Sequence, residues 1–134
     1  MKKVYSTSFI LALLVYFCLA VSPLTAATGM WPNNKFIQLV TKPDFAIDSV
    51  DVDSYGDGGT CNINFTDVTV EQLKAYAQTL KSDGFRYHVE EITDMTGAYT
   101  FRAGDVEKGD GFMVILGPKV FGKGMFLKIS SATF

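Results

Sequence analysis

From residue 46 to residue 129, apolar side chains of this sequence fall repeatedly on every second position, and a single segment departs from that period. Successive side chains leave a β-strand on opposite faces, so a period of two marks strands with one buried face. Ile47, Val50 and Val52 supply the apolar side of a first strand. Gly56-Asp57-Gly58-Gly59 then turns the chain, and Cys61, Ile63 and Phe65 alternate with Thr60, Asn62, Asn64 and Thr66, which makes a hairpin with a core face and a wet face. The departure comes next. Thr69 and Gln72 form a capping box, and Leu73, Tyr76, Ala77 and Leu80 recur at helical spacing while Lys74, Gln78 and Lys81 face water. Gly84 ends this helix, with Phe85 as the apolar residue after a left-handed cap. Alternation then resumes: Phe85, Tyr87 and Val89 against Arg86, His88 and Glu90; Tyr99, Phe101 and Ala103 against Thr100 and Arg102; and the runs 112–116 (FMVIL) and 125–129 (MFLKI) around a Gly-rich turn. The expected fold is α+β, a two-layer sandwich of one main helix on an antiparallel sheet, with three or four strands after the helix and the order β-β-α-β-β-β at the lower number.

Ahead of this pattern, Lys2 and Lys3 precede an uncharged apolar stretch over residues 9–21. That is the length of a signal-peptide core and shorter than the roughly 20 residues a bilayer span needs. Pro23 breaks the helix, and small residues at Thr25 and Ala27 favour cleavage after Ala27. Cys18 lacks the preceding Leu and small residues of a lipidation site. The sequence thus divides into a signal peptide, 1–27, and a single small α+β domain, 28–134, whose product is secreted or held in the cell envelope and touches the membrane only transiently, through its signal. Residues 28–44 read as a lead-in, an extended edge or short helical turn, with rigid points at Trp31-Pro32 and Lys42-Pro43. Loss of Lys2 and Lys3 makes a chain of formal net charge −2 more acidic still. An acidic chain without a basic stripe argues against nucleic acid and against adhesion to anionic lipid. Cys61 is then the one cysteine left, so no internal disulfide holds the fold.

The opening Trp31-Pro32, the Lys42-Pro43 step, the Thr-led helix with Tyr76 and Leu80, its Gly84-Phe85 exit, the Ala98-Tyr99 strand and the closing 125–129 strand together resemble an uncharacterised family of small bacterial secreted and lipoprotein envelope proteins. The resemblance implies export, and it carries over no catalytic residue. The last hairpin departs from the family pattern in its length and its Gly and Phe content.

Several short motifs invite chemical readings. Residues 117–123 (GPKVFGK) have the spacing of a phosphate-binding loop, but Gly124 stands where Ser or Thr would reach magnesium, and a strand follows instead of a helix. Asp51, Asp53 and Asp57, around Gly56, form a partial calcium loop, with Tyr55 in place of one oxygen ligand and Asn62 where a closing Glu would stand; hairpin turns favour the same residues. Cys61 needs a base to act as a nucleophile, and His88, the lone histidine, belongs to the opposite side of its strand. Glu90 and Glu91 point to opposite faces, so no paired carboxylates are marked. No catalytic residue and no cofactor is expected.

In the last hairpin alternation breaks down, because Phe112, Val114 and Leu116 share one face while Met113 and Ile115 share the other, and Phe126 opposes Met125, Leu127 and Ile129. Either the lead-in or the tail ending at Phe134 covers the second face, or Met113, Ile115, Phe121 and Phe126 form an exposed patch that binds a partner or a second copy. The functional expectation is a non-enzymatic exported module that binds a protein, peptide or glycan, or self-associates through this hairpin. A small secreted hydrolase or a calcium-dependent protein is the alternative.

Overall fold

A computed structural model describes residues 30–55 and 58–134. Residues 1–29, which include the expected signal peptide, and Gly56 and Asp57 lie outside the described residues. Six strands form one antiparallel sheet: β1 (Ala46–Tyr55), β2 (Gly58–Thr66), β3 (Tyr87–Thr93), β4 (Tyr99–Gly104), β5 (Asp110–Pro118) and β6 (Met125–Thr133), with α1 (Val70–Ser82) between β2 and β3. The spatial order is β1-β2-β6-β5-β4-β3. The α+β class with one helix on an antiparallel sheet therefore stands. Each alternating run after the helix makes its own strand, which gives four there, the larger of the two expected numbers and one more than β-β-α-β-β-β.

The helix begins as its sequence dictates. Thr69 Oγ1 accepts from the Gln72 amide while Gln72 Oε1 accepts from the Thr69 amide, which satisfies two donors the first turn would otherwise leave free. It ends in a Schellman motif: the Phe85 amide donates to the Leu80 carbonyl, the Gly84 amide to that of Lys81, and Gly84 takes φ +117. Leu73, Tyr76, Ala77 and Leu80 are buried against the inner face of the sheet. That face reads across the strands in register, as Cys61, Ile129, Val114 and Ala103 in one row and Ile63, Leu127, Leu116 and Phe101 in the next, and all eight are buried.

The lead-in is the short helical turn of the two expected forms, a 3-10 turn at Ile37–Leu39 capped by Asn34 Oδ1 on the Ile37 amide. Phe36, Ile37 and Val40 enter the same core. Asp83 then accepts from both the Thr41 amide and the Thr41 hydroxyl, each at 2.7 Å, and the Tyr76 hydroxyl donates to the Thr41 carbonyl at 2.8 Å. The lead-in thus packs on the helix side and leaves the outer face of the sheet free of it.

Two bulges, at Asp48 in β1 and between Tyr87 and Glu90 in β3, reset the strand phase. The first explains why Ile47 and Val50, three apart, share a face. The second takes Val89 off the core side expected from simple alternation and exposes it, while His88 adopts φ +54, stacks on Phe134 at 4.9 Å, and meets the Glu107 carbonyl at 2.7 Å through Nε2. His88 is exposed, as the polar side of its strand implies.

Candidate functional site

The outer face decides the question of the last hairpin. Its central row runs Asp51, Asn62, Lys128, Ile115, Arg102 and Glu90, and a neighbouring row runs Ser49, Asn64, Phe126 and Gly117. Met113, Ile115 and Phe126 all stand on this face and are half-buried. The tail covers only one corner, where the Phe134 ring lies over Gly104, a position with no room for a Cβ. Met113, beside that corner, accepts from Arg102 Nε through its sulfur at 2.9 Å.

Phe121 belongs to no strand. It projects from the β5–β6 turn, 89% exposed, next to an equally exposed Val120. This turn leans over the outer face because of three local features. Gly122 and Gly124 take φ +86 and +110, which side chains disfavour; the Lys119 amide donates to the Gly124 carbonyl at 3.1 Å; and a Cβ on Gly124 would sit 2.5 Å from the Phe65 carbonyl. Lys119 fastens the arrangement, its Nζ lying 3.1 Å from Asp48 Oδ2 on the bulge of β1.

Between turn and sheet lies a groove of about 400 Å³ lined by Asn62, Asn64, Lys119, Val120, Phe121 and Phe126. The structure thus brings together Phe121 and Phe126 from the expected patch, and leaves Ile115 and Met113 beyond the groove on the same face. Asn62, Asn64, Lys119 and Val120 were not anticipated. Their signal was present all the same, since two asparagines at alternate positions of β2 share the face of Phe126. Asn64 Nδ2 donates to Ser49 Oγ at 2.8 Å, whereas Asn62 Oδ1 is buried with no hydrogen-bond partner among the described residues. Among the described residues the lining contains no carboxylate, and its one cation is engaged by Asp48. It can offer amide donors and acceptors, and aromatic faces, to an uncharged molecule.

The other candidate groups separate. Cys61 is fully buried on the inner face of β2, and burial, with the Asp51 carboxylate adding to it, pushes its thiol up to about 11. His88 sits on β3, four strand spacings away and therefore about 19 Å off. Among the described residues no histidine reaches the thiol. Asp51 and Asp53 share the outer side of β1, Asp57 lies outside the described residues, and among the described residues no three metal-ligating side chains converge. Residues 117–123 close a β-hairpin, with no helix at their end to receive phosphate.

No protein-family model, curated protein or solved structure matches the chain.

Proposed function

We propose that this chain is an exported, non-enzymatic binding module whose ligand is a neutral glycan, seated in the groove between the β5–β6 turn and the outer face of the sheet. The observation that carries the reading is the groove's lining, two strand-borne asparagine amides facing two phenylalanines with no free charge. A sugar presents hydroxyls that pair with planar amides, and a C–H face that packs against an aromatic ring. The Asn62 carbonyl is buried with no partner among the described residues, a state that costs about 1–3 kcal/mol, and a turn of the side chain toward a ligand hydroxyl in the groove would relieve it. Export rests on Lys2, Lys3 and the apolar stretch that follows them, and on the resemblance to bacterial envelope proteins. Recovery of the protein outside the cytoplasm with Thr28 at its N-terminus would test that half of the proposal.

The binding half is tested by titrating the protein with neutral oligosaccharides of differing linkage, including cello-, malto- and chito-oligosaccharides, while recording the side-chain amide resonances of Asn62 and Asn64. The expected result is saturable movement of those signals with at least one sugar, and a loss of about tenfold in affinity (~1.4 kcal/mol) in Phe126→Ala. Signals that stay still with every sugar would sink the reading.

A further inference from the structure

The geometry points to a second interaction surface, independent of the groove: the free edge of β1 is a docking site for an extended basic peptide, which adds to the sheet as a seventh strand. Among the described residues β1 has one strand neighbour, β2, and it stands at the end of the sheet for ten residues. An edge strand presents unpaired amides and carbonyls, and proteins usually blunt such edges with charged side chains, proline, bulges or short length. From Ser49 to Tyr55 this edge carries no proline and no bulge, its bulge lying at Asp48, and its only charges are Asp51 and Asp53, which repel like-charged strands and attract basic ones. The opposite edge, β3, is shorter and broken by its bulge at His88.

Both sides of β1 are unfinished. On the inner side the core row of Ala103, Val114, Ile129 and Cys61 continues to Val52, which is 40% exposed where Cys61 beside it is 0%. An incoming apolar side chain would complete that row. On the outer side stand Asp51 and Asp53, separated by one residue and by about 7 Å along the strand, and residues 46–55 contain no cation. Lysine or arginine at alternate positions of an added strand matches that spacing, with the residues between them turned inward toward Val50 and Val52. The same charges disfavour a second copy, because antiparallel pairing of β1 with itself around these residues would set aspartates against aspartates.

The test uses three synthetic heptapeptides: Thr-Lys-Val-Lys-Val-Lys-Thr, its Glu-for-Lys counterpart, and the lysine peptide N-methylated at alternate amides. Titration should show binding of the first alone, with slowed amide exchange in β1 and affinity that falls on adding salt. The exposed double variant Asp51→Lys/Asp53→Lys, with folding checked by circular dichroism, should lose at least tenfold toward the lysine peptide and gain affinity for the glutamate peptide. Equal binding of the N-methylated peptide would overturn the proposal, because attraction would then be charge alone. So would absence of binding, or a free protein that sediments as a dimer with β1 amides already protected. Asp51 neighbours Asn62 of the groove, so the two readings are separated by Phe126→Ala, which should lose sugar and keep the lysine peptide.

Discussion

Single positions show how differently two glycines can matter. Gly84 has open space where a Cβ would go, so the cost of a side chain there is backbone strain alone. Gly84→Val should lower stability by about 1–2 kcal/mol, read from the urea midpoint. Gly124 combines positive φ with the Phe65 carbonyl in the path of a Cβ, so Gly124→Ala should both destabilise and shift the β5–β6 turn, visible as altered Phe121 and Phe126 resonances. Cys61 carries a pH prediction. Its thiol rises from 9.0 to about 11 through burial and Asp51, and burial raises Tyr99 to about 12. Between about pH 9 and 11 the folded thiol keeps a proton that the unfolded chain has released, so stability is whole below pH 9 and falls as pH climbs through that window. Urea titrations at stepped pH should show this decline, and Cys61→Ala should flatten its early part, below the range where tyrosines ordinarily lose their protons.

At the level of elements, the helix and the lead-in depend on side chains that bond to backbone. Thr69→Ala removes half of the capping box and should cost about 1 kcal/mol in the same urea assay. Asp83 holds the lead-in by two bonds to Thr41 just past the helix C-terminus. Asp83→Ala should leave the sheet intact and speed proteolytic cleavage near residues 41–45, because the segment then keeps only its apolar contacts and the Tyr76 hydroxyl. The Asp94 turn between β3 and β4 works in a similar way: its carboxylate accepts from the Thr96 hydroxyl and from the Thr96 and Ala98 amides, and these bonds, the Thr96 hydroxyl foremost, hold its pKa below the usual carboxylate value. Each of these devices is local.

For the whole molecule, the core and the proposed glycan groove lie on opposite faces of one sheet. Phe65, fully buried and edge-on to Phe45 at 5.2 Å, should cost about 3–5 kcal/mol as Phe65→Ala, much of what holds a domain of this size together. Phe121→Ser should leave the thermal midpoint unmoved, since the ring is in water, and should weaken glycan binding. The sequence alone determined the alternating runs, the helix with both its caps, the burial of Cys61 and the apolar second face of the last hairpin, because each follows from a period or a short spacing along the chain. It misjudged Val89, because the bulge between Tyr87 and Glu90 adds a residue there and leaves that side chain exposed, and nothing in the local composition announces that. Only the tertiary structure decided that β6 lies between β2 and β5. The β2–β6 pairing joins residues 60 to 70 positions apart, and it alone sets Asn62 and Asn64 beside Phe126, carries Lys119 to Asp48, and leaves β1 as the open edge. Such neighbours are chosen by how the strands share one core, a property of the assembled sheet that no stretch of sequence holds by itself.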